Sequence, residues 1–289
     1  MQISGETKVC GIIGDPIEHT LSPVIQNAAF SQLKLDFVYV PFTVKAHDLK
    51  EAMNAFNGLG IHGLNVTMPH KTAVLDFLTE TNPPARFLGA VNTILNHDGK
   101  SIGFNTDGVG AINALRAGGA DLKGKKLLLL GAGGAARAIA FCAAQEVEKI
   151  AILNRTAEKA EKLAKHLQMR FGSRIKADSL LPSVISRELK DADLLVNATS
   201  IGMRPWADRS PVDAKLLRSD LCVMDIVYDP VETKLVSDAK SAGAKVLNGL
   251  EMLVNQAAVS FEIWTNQRAP IAIMKEAALR KLDPKRCIL

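Results

Sequence analysis

KLLLLGAGGAARAIAFCAAQ, residues 126–145, is the stretch of sequence that decides the fold. An apolar run of strand length, residues 126–130, leads into a glycine-rich turn at residues 131–136, and a helix of small residues is predicted to follow to about Gln145. A second predicted strand at residues 149–153 completes a βαβ unit that has its glycines at the first turn. This arrangement is typical of a dinucleotide-binding unit, although a turn rich in Gly and Ala also forms where a helix packs closely on a strand.

The glycine turn suits a pyrophosphate because of both its backbone and its position. The first glycine permits a tight bend, and the second lets the backbone approach the ligand closely. The helix that follows directs its free N–H groups and the positive end of its dipole at the phosphates. The candidate cofactor-binding residues of the turn are Gly131, Ala132, Gly133, Gly134 and Ala135.

The end of the second strand predicts which dinucleotide is bound. A strand that ends in Asp or Glu accepts hydrogen bonds from a free ribose 2′-hydroxyl, but this one ends in Asn154, Arg155 and Thr156. Arg155 offers a cationic fork suited to a 2′-phosphate, and Lys159 adds a positive charge about one helical turn later. The sequence therefore predicts NADP in preference to NAD. In the alternative interpretation, both cations are solvated residues at a helix end.

Short apolar runs alternate with amphipathic stretches along the chain, which predicts an α/β protein. The first half opens as βαβαβ, with strands at 8–13, 36–41 and 63–66 and helices at 22–33 and 46–59. Strands at 194–197, 222–225 and 245–247 continue the second series, and helices at 250–264 and 271–279 follow them. We expect an N-terminal α/β substrate domain, residues 1–107 plus 248–289, and a Rossmann-like nucleotide domain with a doubly wound parallel sheet, residues 108–247.

The composition excludes several classes of protein. The 289 residues are 47% hydrophobic and 22% charged, which is the usage of an ordinary globular protein long enough for two domains. The 35 basic residues are spread among 30 acidic ones, and only two Trp and two Tyr are present, so no basic or aromatic platform for nucleic acid is indicated. The net charge of +5 suits ligands that carry phosphates and a carboxylate.

Cysteine usage and hydropathy predict where the protein works. The cysteines Cys10, Cys142, Cys222 and Cys287 lie far apart and form no C-x-x-C pair, so neither a zinc site nor a redox motif is expected. No apolar run reaches the roughly 18 residues that span a bilayer, and the first eight residues lack the apolar core of a signal peptide. We expect a cytoplasmic protein with reduced thiols, no metal and no membrane association.

Three polar clusters in the first half have the same pattern of apolar residues leading into Asn, Thr or Asp. They occupy residues 65–71, 89–93 and 103–108. Each cluster alone has a plain explanation, since Asn, Asp, Thr and Gly are the usual residues of turns and helix caps. Ligands of open α/β sheets bind beyond the carboxyl ends of the strands, so the three clusters together predict a polar pocket.

These motifs, in this order, resemble those of the shikimate dehydrogenase family over nearly the whole chain. The matching segments are residues 20–23, 65–71, 90–93, 105–108, 131–135, 154–156, 197–200 and 249–256. The resemblance implies a two-domain enzyme that reduces the C3 ketone of 3-dehydroshikimate with NADPH and oxidises shikimate in reverse, without a metal. Shikimate dehydrogenases belong to chorismate and aromatic amino acid biosynthesis.

The resemblance also implies roles for individual residues. Lys71 and Asp107 fall on the catalytic Lys and Asp of the family, with Lys71 handling the proton of the reacting hydroxyl and Asp107 orienting the hydroxyl and the lysine. In the alternative, Lys71 only pairs with a carboxylate or contacts substrate without exchanging protons. The substrate-binding residues implied are Thr20, Ser22 and Tyr228 for the carboxylate, and Asn65, Thr67, Asn92 and Gln256 for the ring hydroxyls.

The same resemblance places Thr199 and Gly249 near the nicotinamide, with Ile226 packed against it. Plain core packing is the alternative for both Ile226 and Tyr228. Thr20 departs from the serine more usual in the family, and its methyl group narrows the carboxylate site. The partner is a small molecule, and a homodimer is an open expectation.

Two competing functions stay open at this point. The nearer one is a quinate dehydrogenase or a dual quinate/shikimate dehydrogenase that uses NAD(P), often NAD. Ser22 argues against it, because some quinate-active members carry threonine there. A dinucleotide sensor without turnover is the other, and the presence of both Lys71 and Asp107 argues against that function.

Overall fold

The computed structural model describes residues 3–282, so Cys287 lies outside the described residues. The chain divides into two compact units. One contains the chain up to Thr106 together with the part from Gln256 onward, and the other is Asp107–Asn255. The assignment of substrate binding to residues 1–107 plus 248–289, and of nucleotide binding to residues 108–247, stays a prediction.

The first unit is built on a six-stranded mixed sheet. Its strands are β1 Lys8–Gly14, β2 Phe37–Thr43, β3 Gly63–Val66, β4 Glu80–Thr81, β5 Thr93–His97 and β6 Lys100–Phe104. Its helices before residue 106 are α1 Ser22–Gln32, α2 Leu49–Gly58 and α3 Pro83–Leu88. The strand order is β2-β1-β3-β5-β6-β4, with β1 parallel to β2 and β3, and β5 antiparallel to β3 and β6. The predicted βαβαβ opening is confirmed.

The hairpin of β5 and β6 was not predicted, although the sequence carries a signal for it. Asp98 and Gly99 connect the two strands, and both adopt positive φ angles, 52° and 78°. A two-residue hairpin turn of this kind requires positive φ at both positions, and Asp-Gly is one of its preferred sequences. The hairpin makes the first sheet mixed and reverses the chain toward the end of β3.

The second unit is a parallel sheet. Its strands are β7 Lys126–Leu130, β8 Lys149–Asn154, β9 Ile175–Ser179, β10 Leu194–Asn197, β11 Cys222–Asp225 and β12 Lys245–Leu247. Its helices are α4 Asp107–Ala117, α5 Gly134–Ala143, α6 Ala157–Phe171, α7 Pro182–Leu189 and α8 Lys234–Ser241. The order β12-β11-β10-β7-β8-β9 is that of a Rossmann sheet, in which the winding reverses between β7 and β10. The predicted fold class is confirmed.

Each sheet forms its own core because its central strands are almost wholly apolar. Four consecutive leucines of β7 are at most 2% exposed, as parallel strands covered on both faces require. In the first unit, Met53 and Phe56 of α2 pack in one cluster with Leu64 and Val66 of β3. Among residues 3–282, no helix is long and apolar enough to cross a membrane.

Two last helices, α9 Gly249–Thr265 and α10 Ile271–Leu282, complete the chain as described. The second half of α9 packs on the first sheet, where the Trp264 ring N–H donates to the Ile94 carbonyl at 2.9 Å. Gln26 of α1 donates to the Ala257 carbonyl at 2.9 Å, and α10 packs against α1. These contacts explain why the end of the chain belongs to the same unit as its beginning.

Candidate functional site

The glycine turn between β7 and α5 contains glycines of two kinds. Gly131 has a φ of 111°, and a Cβ atom there would lie 2.6 Å from the Ala198 carbonyl oxygen, so only glycine fits. Gly133 caps α5 with extended backbone, and a Cβ at Gly133 or Gly134 would meet no atom within 4 Å. The open side of the turn therefore exposes backbone N–H groups at a helix N-terminus, where a pyrophosphate fits.

The segment after β8 presents two cations to solvent. Asn154 shapes it, since its side-chain amide donates to the Thr156 carbonyl at 2.9 Å, and α6 then begins at Ala157. Arg155 and Lys159 are exposed on this segment. A strand end without a carboxylate, followed by an exposed guanidinium, fits a ribose 2′-phosphate better than a free 2′-hydroxyl.

The loops after β10 and β11 carry the residues expected near the nicotinamide. The Thr199 hydroxyl donates to the side-chain oxygen of Asn197 at 2.7 Å. Gly249 begins α9 against the backbone of the β11 loop, where a Cβ atom would lie 2.5 Å from the Val227 carbonyl oxygen. Gly249 is therefore required by this close approach.

Ile226 and Tyr228 lie on either side of Val227, which is the buried residue of that loop at 7% exposure. Ile226 and Tyr228 are both of intermediate exposure, so each is only partly packed into the core. Partial burial, with the nearby Asp229 carboxylate, raises the pKa of Tyr228. The phenol is thus held in its neutral form, able to donate a hydrogen bond.

The three polar clusters of the first unit come together at one edge of its sheet. In the strand register, Thr93 pairs with both Asn65 and Phe104. Because β5 is antiparallel to its neighbours, its beginning lies beside the carboxyl ends of β3 and β6. Residues from the three clusters are therefore neighbours, as predicted, but through the hairpin that was not predicted.

Asn65 is the centre of a buried hydrogen-bond network at this edge. It lies within β3 and is 6% exposed. Its side-chain N–H₂ faces the Asn92 carbonyl at 3.0 Å and the hydroxyls of Thr93 and Ser260, each at 3.1 Å. Its side-chain oxygen accepts from the Tyr39 hydroxyl at 2.7 Å. All four of these contacts are made to the protein itself.

Asn92, the residue before β5, connects the segment after β6 to α9. Its side-chain oxygen accepts from the Thr106 backbone N–H at 2.8 Å, and its N–H₂ donates to the Thr106 hydroxyl at 2.9 Å. The same N–H₂ reaches the Gln256 side-chain oxygen at 3.4 Å. Ser260, one turn beyond Gln256 in α9, lies 2.8 Å from the Thr93 hydroxyl.

Sequence reasoning identified Asn65, Asn92 and Gln256 but missed the residues that hold them. The missed residues are Tyr39, Thr93, Thr106 and Ser260. Tyr39 and Ser260 carried no motif signal, because neither residue lies in one of the segments that match the family. Thr93 and Thr106 stood inside matched motifs, and only the strand pairing shows which groups they contact.

Thr20 and Ser22 are neighbours at the start of α1. The Thr20 hydroxyl donates to the Ser22 hydroxyl at 3.2 Å and accepts from the Ser22 backbone N–H at 3.3 Å. Ser22 is 7% exposed, and its side chain also forms a hydrogen bond with Tyr39. The structure therefore links the predicted carboxylate pair to the Asn65 network through one buried phenol.

The segment that carries Thr67 and Lys71 is anchored by a buried histidine. His70 is 1% exposed, and its Nε2 lies 2.6 Å from the Val44 carbonyl oxygen, so that nitrogen carries the proton. The Lys71 carbonyl accepts from the Val91 N–H at 2.8 Å, which ties the segment to the residue before Asn92. Lys71 is half-buried, as is Thr67, whose methyl group packs against Gly14.

Asp107 is the first residue of α4 and of the second unit, and it is 6% exposed. Its neighbour Gly108 contacts the Ala138 carbonyl and the Cys142 sulfur of α5, and this close approach excludes any larger residue. The start of α4 is thereby fixed against the helix that follows the glycine turn. The pairing of Asp107 with Lys71 stays a prediction.

Together, the Rossmann sheet, the glycine turn and the cationic strand end define a dinucleotide-binding α/β protein with a second, polar-lined α/β unit. Three family models match it: the shikimate dehydrogenase substrate binding domain over residues 12–94, shikimate / quinate 5-dehydrogenase over residues 113–235, and the shikimate 5'-dehydrogenase C-terminal domain over residues 249–279. The chain belongs to the shikimate dehydrogenase family.

Similar proteins agree with that membership. A shikimate dehydrogenase (NADP⁺) of Methanopyrus kandleri is 47% identical over 285 residues, which are 98% of this chain and 98% of the relative. A solved shikimate dehydrogenase in complex with NADP⁺ is 45% identical with a TM-score of 0.91, covering 97% of this chain and 98% of that one. A shikimate 5-dehydrogenase of Listeria monocytogenes, solved with shikimate and NAD, is 38% identical with a TM-score of 0.92, over 96% and 98% of the two chains.

Proposed function

We propose that this chain is an NADP-dependent shikimate dehydrogenase, a cytoplasmic enzyme that reversibly reduces 3-dehydroshikimate to shikimate in chorismate and aromatic amino acid biosynthesis. Full-length similarity to NADP-dependent shikimate dehydrogenases carries this proposal. The buried hydrogen-bond network around Asn65 suits a substrate with ring hydroxyls, and the cationic end of β8 suits a 2′-phosphate. Both observations support the proposal independently. A homodimer is part of the proposal, and light scattering of the purified protein tests it.

The second unit binds the cofactor through groups with separate tasks. Backbone N–H groups at Gly133 and Gly134 hold the pyrophosphate at the N-terminus of α5. Arg155 and Lys159 hold the 2′-phosphate, while Asn154 and Thr156 shape the segment that presents them. The bound nicotinamide supplies or takes up the hydride. Thr199, Ile226 and Gly249 form the surroundings of its ring.

The first unit binds the substrate with neutral donors and acceptors. The hydroxyls of Thr20 and Ser22 hold the carboxylate, with Tyr228 as a third donor. Thr67, Asn92 and Gln256 hold ring hydroxyls directly. Asn65 already faces four protein partners, so its contribution is to keep the edge of the site rigid as well as to contact a ring hydroxyl.

Lys71 and Asp107 carry the proton transfer. A ketone that accepts hydride develops negative charge on its oxygen, and an ammonium group that donates a proton there stabilises it. In the oxidation of shikimate the Lys71 amine takes the proton from the hydroxyl, and the Asp107 carboxylate orients both groups. The polar anchoring of the Lys71 segment through Val91 and His70 supports this role, because a proton donor has to be held in position.

The competing substrate and cofactor are quinate and NAD. Ser22 supports shikimate, since its side chain is bonded to Thr20 and, unlike the threonine of some quinate-active members, adds no methyl group of its own to the carboxylate site. The strand end at Arg155 supports NADP. The model of the family over residues 113–235 covers both shikimate and quinate dehydrogenases, so a direct assay has to separate them.

The decisive experiment follows NADPH absorbance with 3-dehydroshikimate and, in reverse, NADP⁺ with shikimate or quinate at equal concentrations. We expect kcat/KM to be at least about tenfold higher with NADPH than with NADH, and higher with shikimate than with quinate. A preference for quinate with NAD would overturn the assignment. Binding of NADPH without any turnover would favour a sensor.

A further inference from the structure

Asp225, at the end of β11, is a fully buried carboxylate that the proposed reaction does not use. It is 0% exposed. One carboxylate oxygen accepts from the Asn197 N–H₂ at 3.0 Å and from the Val227 backbone N–H at 3.1 Å, and the other accepts from the Thr233 hydroxyl at 2.6 Å. All three donors are neutral.

A carboxylate in this environment is costly to bury, because its charge loses hydration that neutral donors only partly replace. Burial raises the pKa of Asp225, while the bonds from Thr233, Val227 and Asn197 act against that rise. Such a group lies at the carboxyl end of a parallel strand, the edge where ligands of Rossmann sheets bind. Its position therefore indicates a task in the site.

The first contact of Asp225 reaches the loop after β10. The Asn197 N–H₂ is directed toward Asp225 and the Ile201 carbonyl, at 3.0 and 3.2 Å, so the amide oxygen is forced to face the other way. That oxygen accepts from both the backbone N–H and the hydroxyl of Thr199, at 3.1 and 2.7 Å. Asp225 thus decides the orientation of Asn197, and Asn197 fixes Thr199.

The second contact of Asp225 fixes the loop after β11. The bond from the Val227 N–H holds the backbone on which Ile226 and Tyr228 are carried. Gly249 packs against the same backbone, and its own N–H reaches the Val227 carbonyl at 3.3 Å. Thr199 and Gly249, two residues proposed near the nicotinamide, are each held by a partner of Asp225, the first by Asn197 and the second by Val227. Ile226, the third, lies between Asp225 and Val227 in the chain.

We infer that Asp225 is a positioning residue for cofactor binding, which acts through Asn197 and Val227 to hold the loops around the nicotinamide in place. This inference rests on the proposed function. Asp225 acts as an acceptor of three hydrogen bonds and touches neither cofactor nor substrate. Its carboxylate charge as such is not required for the task.

The test measures NADPH affinity by the fluorescence of the bound dinucleotide, independently of turnover. We expect Asp225→Ala to raise the Kd for NADPH about tenfold or more, because both loops lose their common acceptor. Asp225→Asn should keep the Kd within about threefold of the wild type, because its oxygen still accepts from Asn197 and Val227 while its N–H₂ donates to the Thr233 oxygen. An Asp225→Asn variant as weak as Asp225→Ala would overturn the inference.

Asp193→Ala is the matched control, at the opposite end of the same sheet. Asp193 also joins neighbouring strands, since it accepts from the Lys126 backbone N–H at 2.9 Å and pairs with Lys125 at 3.1 Å. We expect this variant to lower the free energy of unfolding without changing the Kd for NADPH. A Kd raised as much as in Asp225→Ala would show a general effect of sheet stability and would overturn the inference.

A double-mutant cycle with Asn197→Ala tests the route. Each single substitution removes one partner of the same Asn197–Asp225 hydrogen bond. The double variant should therefore bind NADPH about as weakly as whichever single variant binds it less tightly. Additive losses of NADPH affinity would contradict the route through Asn197.

If Asp225→Ala does not fold, Asn197→Ala and Asp225→Asn still carry the test. If wild-type protein does not bind NADPH, the proposed function fails, whereas wild-type activity with an unchanged Asp225→Ala Kd rejects only this inference.

Discussion

The hydroxyl of Tyr39 donates a hydrogen bond of 2.7 Å to the side-chain oxygen of Asn65, in a position where the phenol is 1% exposed. Burial raises the pKa of Tyr39, so the phenol stays protonated and is a permanent donor. This bond settles which way the Asn65 amide is turned. Its N–H₂ is thereby directed at Asn92, Thr93 and Ser260.

Tyr39→Phe should raise the KM for 3-dehydroshikimate several-fold and leave the KM for NADPH unchanged. It should also lower the free energy of unfolding by about 1–2 kcal/mol, because a buried acceptor loses its donor. Steady-state kinetics and urea unfolding measure the two effects. Ser101→Ala, which removes another buried hydroxyl of the same sheet bonded to Thr79, should lower stability alone. An equal KM for 3-dehydroshikimate in Tyr39→Phe and Ser101→Ala would contradict a role of Tyr39 in the site.

Lys71→Ala should lower kcat by about 10²-fold to 10⁴-fold, the usual contribution of a general acid or base. Shikimate should still bind with a Kd within several-fold of the wild type, since the interaction is made chiefly in the transition state. Kinetics and calorimetric titration measure these quantities. Lys50→Ala, at an exposed position of α2, is the control and should retain full activity. Full kcat in Lys71→Ala would show that another group transfers the proton.

Arg155→Ala should raise the KM for NADPH at least about tenfold, because charge-assisted hydrogen bonds contribute about 1.5–3 kcal/mol. The KM for NADH should change little, since NADH has no 2′-phosphate for the guanidinium to hold. Lys162→Ala removes an exposed cation further along α6 and should affect neither value. An equal loss with both cofactors would mean that Arg155 holds the fold of the loop instead of the phosphate.

Gly131→Ala and Gly134→Ala should have opposite effects on the free energy of unfolding. At Gly131 the φ of 111° and the nearby Ala198 carbonyl make any side chain strained, so unfolding free energy should fall by more than about 2 kcal/mol. At Gly134, the first residue of α5, the added methyl meets no protein atom and should stabilise the helix by up to about 1 kcal/mol. Gly134→Ala should nevertheless raise the KM for NADPH. An unchanged KM for NADPH in Gly134→Ala would contradict the binding of the pyrophosphate at this turn.

His62 should make the protein less stable in mild acid. Its Nε2 lies 2.8 Å from the Trp264 carbonyl, and partial burial, with Lys8 nearby, lowers the pKa of His62. The fold therefore favours the neutral ring, so this contribution to stability is complete above the unfolded pKa of about 6.5 and is lost as pH falls through the lower folded value. Urea unfolding at pH 7.5 and 5.5 measures how much the free energy of unfolding falls between the two pH values. This fall should be smaller for His62→Asn than for the wild type. The exposed His47 provides the control, and His47→Asn should keep the wild-type difference.

Much of the fold could be predicted because its signals are local. The glycine turn, the strand before it and the helix after it are contiguous, so residues 126–154 are recognisable without knowledge of the rest of the chain. The hairpin of β5 and β6 had only its Asp98-Gly99 turn as a signal, since its two short strands lack a clear apolar alternation. Because this hairpin was not predicted, the sequence did not show why Asn92 and Thr106 are neighbours.

The sequence by itself determined the Rossmann βαβ unit, its glycine turn and the cationic strand end that predicts NADP, because these features depend on residues that follow one another along the chain. Only the tertiary structure decided how the polar groups are held. Tyr39, Asn65 and Ser260 lie on β2, β3 and α9, and Asp225 reaches Asn197 across neighbouring strands. A buried polar group is stable only when its partners surround it, and those partners are brought together by strand order and helix packing.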